Sequence, residues 1–432
     1  MRIRPLPLVA LLAACDRDKG AADSASSGLP DGVSLLKSEK AYDTDPDVTA
    51  DELAALVRGD TAFALDIYQQ VGKGQAEDLF FSPYSMSTAL AMAWAGARGA
   101  TEGQMGAALR FPFDQELLHP AMNGLALTLD DHAAAGAEEP FTLHVLNALW
   151  GQEDLPYQTP WLDVLAERYD AGVYLLDLQG DPDGAQGRIN EAVGDATDGK
   201  IAELLPAGSV TENTALVLTN AILFKASWLV PFDEASTRDG AFTTVDGAVR
   251  TVPMMHATDL QQPYARGDGY MAIELPYDGM AFSMLIIAPD AGSFKLFDRG
   301  LDADLFTDIR LSLRSTLVSV ALPRWVSSSA FSLKDALTGL GMTDAFVDGG
   351  ADFTGILEGG GVHVGDVLHQ AVISVDEAGT EAAAATAVEI DTDTDVVGGE
   401  ATPVVIDRPF VYAILDRPTG AVLFLGRVMD PG

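Results

Sequence analysis

Hydrophobic and polar positions along the chain repeat with two periods, and the places where one gives way to the other mark its elements. From Asp51 onward, Leu53, Leu56, Val57, Phe63, Ala64 and Ile67 recur at helical spacing, which predicts a helix or two at the start of the folded part. Ser82-Pro83-Tyr84-Ser85 then leads into an Ala- and Met-rich run from Met86 to Ala97. A serine cap with proline at the first helical position is a good helix start. Phe141 to Trp150 alternates as a strand, Trp161 to Tyr169 reads as a helix, and Tyr174 to Asp177 reads as a strand again. The run from Leu216 to Phe232 is too continuously apolar for a half-exposed strand, so it belongs at the centre of a sheet covered on both faces. Val252 to Met255, Ile273 to Tyr277 and Phe282 to Pro289 supply further strands.

The stretch from Val375 to Asp395 is different. At period two, Thr380, Ala382, Ala384, Thr386, Val388 and Ile390 share one face, first small and then apolar. Glu381, Glu389, Asp391 and Asp393 lie on the other face with small alanines. Residues 392–403 follow with turn formers and charge but no core periodicity, as in an exposed tip. The alanine run also suits a short helix over 381–387, or a low-complexity linker. A strand-competent segment feeding an exposed loop suggests a loop able to become a strand.

Charge narrows the partners. With 26 basic and 64 acidic residues the formal net charge is −38, which argues against nucleic acid and against docking on anionic lipid through charge. The 48% hydrophobic content is enough for a sizeable core. Cys15 is the single cysteine, so no intrachain disulfide forms. It follows a short basic head (Arg2, Arg4), an apolar run from Pro5 to Leu12, and Ala13-Ala14. That order looks like a bacterial lipoprotein signal peptide over residues 1–14, with Cys15 lipidated after cleavage; an ordinary leader is the alternative. The apolar run is too short to span a bilayer. Residues 15–50 read as a flexible acidic tether, and 51–432 as the folded domain.

No enzyme constellation is present: there is no G-x-S-x-G elbow, H-E-x-x-H helix or C-x-x-C pair. Two Asp-x-Asp-x-Asp runs, from Asp43 and from Asp391, begin like calcium loops. Val48 and Ala54 in the first, and Val396 and Thr402 in the second, occupy the positions of the needed Gly and Glu. No metal or other cofactor is expected.

Glu377-Ala378-Gly379-Thr380-Glu381 with the following alanines and Thr386 resembles the hinge of the serpin reactive-centre loop, almost letter for letter. Other blocks agree in one unbroken order: Ser82 to Ser85, Arg188 to Pro206, Leu216 to Phe232, Val318 to Trp325, Val367 to Glu377, Asp407 to Phe410 and Leu423 to Pro431. The chain is therefore identified as a member of the serpin family over roughly Asp51 to Pro431. The resemblance implies an α+β fold of mixed and antiparallel sheets with surrounding helices and an exposed reactive-centre loop, here about 377–407. It implies no turnover. A serine or cysteine protease cleaves the loop, is held as an acyl-enzyme, and is trapped when the loop inserts into the central sheet.

Carried over residue by residue, the hinge is Glu377, Gly379, Thr380, Ala382, Ala384 and Thr386. The sheet-opening cluster is Ser82, Ser85, Asn220 and His369, and the breach is Trp228 with Arg324. Arg324 is expected to pair with Glu377, and an exposed pair of that kind contributes about 0–1 kcal/mol. The family's spacing from the hinge glutamate puts the reactive bond between Asp393 and Thr394. Counting back from Pro409 puts it near Gly398 instead, with Val396 and Val397 as elastase-like alternatives. The segment from Phe111 to Pro140, basic in glycosaminoglycan-binding serpins, is chiefly acidic and apolar here, so no accelerating cofactor is expected there. The implied partner is a target protease, and the protein is expected to be an exported monomer held at a bacterial membrane only through its N-terminal lipid. A non-inhibitory serpin, acting as a surface binding or chaperone-like lipoprotein, is the alternative. Bulky, charged or proline residues on the inward hinge face would favour that alternative.

Overall fold

Thr49 starts the first helix by a reciprocal cap. Its hydroxyl accepts from the Glu52 amide at 3.3 Å, and the Glu52 carboxylate accepts from the Thr49 amide at 2.7 Å. In the computed structural model, which describes residues 30–134, 142–197, 199–380 and 400–432, this helix is preceded by a strand. The strand is β1 (Ser34–Leu36) and the helix is α1 (Ala50–Val71). Strand β2 (Leu79–Phe81) leads to α2 (Pro83–Trp94), where Ser82 is the cap and Pro83 sits in the first turn, as expected. Every residue of α2 is buried, as befits a helix apolar nearly all round.

Then come α3 (Gly99–Ala108), α4 (Gln115–Ala134), β3 (Thr142–Gln152), α5 (Thr159–Tyr169), β4 (Val173–Leu176) and α6 (Pro182–Ala196). The long apolar run forms β5 (Leu216–Ser227). It is followed by β6 (Arg238–Thr243), β7 (Val249–Gly267), β8 (Tyr270–Pro276), β9 (Phe282–Pro289), α7 (Phe294–Gly300) and α8 (Ala303–Ser312). The C-terminal part carries β10 (Arg314–Pro323), β11 (Trp325–Ser332), α9 (Lys334–Gly339), β12 (Val367–Val375), β13 (Gly379–Thr380), β14 (Thr402–Val405), β15 (Phe410–Asp416) and β16 (Val422–Val428).

The strands form two sheets. One has the order β1-β4-β3-β5-β13-β12-β11, with β5 also paired directly to β12; the other has β14-β10-β7-β8-β9-β15-β16-β2, with β6 on β7. The first is mixed: β3–β4 and β5–β12 are parallel, and its other pairs are antiparallel. This is the expected α+β architecture, with β5 in the middle of its sheet.

The proposed tether extends too far. Ser34–Leu36 pairs with Leu175–Val173 as an edge strand. Beyond it, Lys37 bonds Asp170, the Asp43 amide donates to the Glu167 carbonyl at 2.9 Å, and Arg168 grips the Asp43 carboxylate at 2.5 Å. Three strand residues are too few to show periodicity, and the remaining anchors are charge pairs with partners far away in sequence.

Candidate functional site: the hinge and the sheet opening

The hinge begins as a tight reversal between β12 and β13. The Asp376 carboxylate accepts from the amides of Ala378 at 2.9 Å and Gly379 at 3.2 Å, and the Asp376 amide donates to the Gly379 carbonyl at 3.0 Å. Val375 thereby faces Thr380 across the turn. Gly379 is required by close approach: a Cβ there would lie 2.1 Å from the Ala226 carbonyl oxygen of β5.

Two aromatic residues fix this reversal on the sheet. The Trp228 indole donates to the Asp376 carbonyl at 2.9 Å, and its amide donates to the Ala378 carbonyl at 2.9 Å. Its ring stacks on Tyr277 with centroids 4.6 Å apart and planes 4° from parallel. The Tyr277 hydroxyl bonds Thr380 Oγ1 at 2.8 Å, and both residues are fully buried.

Glu377 accepts both Nε (2.8 Å) and Nη2 (2.5 Å) of Arg324 on one oxygen, along with the Thr237 hydroxyl. The pair is not the exposed one expected, because Glu377 is only 4% exposed while the Arg324 side chain is 43% exposed. Burial pushes the Glu377 carboxyl up, and the Arg324 guanidinium and Thr237 hydroxyl outweigh it, leaving it below the usual carboxylate range.

Further down, where β5 and β12 pair directly, lies a second polar group. The Ser82 amide donates to His369 Nε2 at 3.3 Å, so the ring proton sits on Nδ1 and is given to Asn220 Oδ1 at 2.5 Å. Asn220 Nδ2 donates to Ser85 Oγ and, at 2.5 Å, to Asn147 Oδ1. Ser82 Oγ donates to the Leu423 carbonyl at 2.7 Å. Burial lowers the His369 pKa to about 3, so the imidazole is neutral and this closed network carries no charge. The structure thus brings Ser82, Ser85, Asn220 and His369 together.

Between these two groups the sheet changes state. Val367 to Val372 pair directly with Leu218 to Leu223, whereas beyond them β13 lies between the strands, with Gly379 opposite Ser227 and Thr380 opposite Ala226. The sheet is open at one end and closed at the other. On the distal side of the loop, β14 runs parallel to β10.

Ala382, Ala384, Thr386, Asp393, Thr394 and Cys15 lie outside the described residues. Among the described residues no cluster could hold a metal ion, and no helix is long and apolar enough to cross a membrane. Sequence reasoning missed Asn147, Thr237 and Tyr277. Asn147 was discernible as a polar residue in an apolar strand, and the register places it opposite Asn220. Thr237 and Tyr277 left no such signal.

The site is thus a mixed central sheet that opens at one end onto a seated hinge. The comparisons identify the class. The family profile of Serpin (serine protease inhibitor) matches residues 58–431, and the chain belongs to the serpin family, a family of protease inhibitors. It is 38% identical to an uncharacterised serpin-like protein of Thermococcus kodakarensis, over 87% of this chain and 86% of that one. It is 33% identical to the leukocyte elastase inhibitor of Bos taurus, over 87% of this chain and 99% of that one. Among solved structures it is similar to the thermophilic serpin tengpin in its native state, with TM-score 0.78 and 26% identity, covering 91% of this chain and 97% of that one.

Proposed function

We propose that this chain is a single-use inhibitor of a serine or cysteine endopeptidase, cleaved between Asp393 and Thr394. The protease nucleophile adds to the Asp393 carbonyl, the C–N bond breaks, and the Thr394 amine leaves with a proton. The acyl group stays on the enzyme as an ester or thioester. Insertion of the freed loop between β5 and β12 then carries the enzyme to the far end of the sheet before water can release it.

The observation that carries this reading is the register of the seated hinge. Continuing the antiparallel pairing of Thr380 with Ala226 sets Ile390 opposite Leu216, the first residue of β5. On that continuation the inserting segment would span the full length of its neighbour, and Asp393 would fall just past that end, where a tethered protease needs to be. An Asp at the cleaved bond also selects the target. A carboxylate-floored pocket repels it and an apolar pocket strips its water, whereas an arginine-lined pocket binds it bidentately. Ile390-Asp391-Thr392-Asp393 accordingly suits proteases that cut after aspartate, of the caspase-like and granzyme-B-like kinds. A lipid on Cys15 would hold the inhibitor at a bacterial membrane as a monomer, on the periplasmic side or at the cell surface.

Incubation with a protease panel tests the proposal. A covalent complex that survives denaturing electrophoresis is expected with an aspartate-cutting enzyme, with a released fragment whose mass starts at Thr394. A fragment starting at Val397 or Gly398 would move the bond but leave trapping intact. Cleavage without any stable complex across the panel would overturn inhibition.

A further inference from the structure

Positive charge that the loop mechanism does not use gathers in one cleft of the described residues. A cleft of about 590 Å³ lies between the C-terminal end of α1, helix α7 and the end of β16. Lys73, Lys295, Arg299 and Arg427 line it, with Asp298 as the carboxylate among the lining residues. Four cations against one anion is a local excess opposite in sign to the net charge of −38.

The floor is buried and already satisfied. Arg427, 1% exposed, donates to the carbonyls of Glu77 (3.1 Å), Gly72 (3.3 Å) and Gln75 (3.1 Å) and to the Asp298 carboxylate (3.3 Å). Asp298 also accepts the Tyr68 hydroxyl, and its charge is therefore spent on Arg427. The rim is not satisfied. Lys73, Lys295 and Arg299 are exposed and have no side-chain hydrogen bond or ion pair among the described residues. A bound anion would supply the partner these three side chains lack.

We infer that this cleft binds a compact ligand bearing two or more clustered tetrahedral oxyanions, phosphate or sulfate. Arg299 offers a planar fork for two oxygens of one group, and the two lysines act as point charges for its neighbours. The volume is that of a small-ligand site. Long polyanions such as nucleic acid are disfavoured, because the acidic surface repels whatever extends beyond the cleft. The inference is independent of loop insertion.

Calorimetric titration of the full chain with inorganic tripolyphosphate and, separately, with sucrose octasulfate tests it, at matched ionic strength. Binding of either probe below about 1 mM supports the site and names the preferred oxyanion. The double variant Lys295→Glu/Arg299→Glu should bind at least about tenfold more weakly. Lys40→Glu/Arg58→Glu makes the same charge change at exposed positions outside the cleft and should leave affinity unchanged. Unchanged melting temperatures without ligand would show that the variants are folded. No binding of either probe to the unaltered chain, or equal weakening in both double variants, overturns the site.

Discussion

Thr386 offers the sharpest test of insertion, because the registers on both neighbouring strands send it to the same place. Continued from Thr380 opposite Ala226, the loop sets Thr386 opposite Asn220; continued from Thr380 opposite Val375, it sets Thr386 opposite His369. Asn220 and His369 are themselves register partners, joined by the 2.5 Å bond that closes the sheet. An inserted strand moves β5 and β12 apart by one strand spacing, about 4.8 Å, and that bond breaks. The threonine hydroxyl can then accept the His369 Nδ1 proton and donate to Asn220 Oδ1, so neither buried group is left unpaired. Thr386→Val keeps the β-branched shape but leaves both without a partner, at about 1–3 kcal/mol in the inserted state. If that cost reaches the insertion barrier, insertion slows by roughly ten- to a hundredfold. Thr386→Arg brings a charge beside a neutral imidazole with no counter-charge, at several kcal/mol, about 3–5 by the buried-pair scale. The assay is the gain in melting temperature when a non-target protease nicks residues 391–399, with the cut checked by mass. The unaltered chain and Thr386→Ser should gain sharply, Thr386→Val less, and Thr386→Arg little. An arginine variant that gains as much as the unaltered chain would refute both the register and the insertion.

Glu377→Lys should promote loop–sheet polymerisation, read by native electrophoresis on heating, and Arg324→Glu should relieve it. The coupling should be about 1–3 kcal/mol, towards the lower end because half-exposed Arg324 retains water as a partner; strictly additive effects would count against a direct pair. Cys15→Ser should release the protein from membranes or block its N-terminal processing, and unchanged partitioning and processing would dispose of the lipid anchor.

What could be read in advance was what repeats or what concentrates polarity in a short window. Leu216 to Phe232 announced a central strand by unbroken apolarity, and Ser82-Pro83 announced a helix start by its capping chemistry. The proximity of Ser82, Ser85, Asn220 and His369 came from family resemblance, since nothing in their spacing brings four separate segments together. The burial of Glu377 was hidden for a related reason: it depends on Thr237 and Phe232, whose amide donates to the Glu377 carbonyl at 2.9 Å, far off in sequence. The edge strand at Ser34 was hidden by its shortness. The cationic cleft was hidden because Lys73, Lys295, Arg299 and Arg427 are dispersed in sequence and submerged in a strongly acidic total.

On the insertion proposed above, the face read at period two favours the strand reading of the loop over the helix and linker readings. On the inserted register, its two hydroxyl positions fall on the two polar spots beneath the sheet: Thr380 on Tyr277, and Thr386 on Asn220 and His369. Between them Ala382 falls opposite Phe224, a fully buried ring packed edge-on against Tyr277 and Phe424, where a larger side chain would have to displace an aromatic cluster. Beyond them Val388 and Ile390 fall opposite Leu218 and Leu216, both buried, where apolar bulk is favoured. A helix or linker has no use for this order of polar, small, polar and large residues. A strand entering between β5 and β12, as proposed, would use it position by position, and Thr380 is already seated where that order begins.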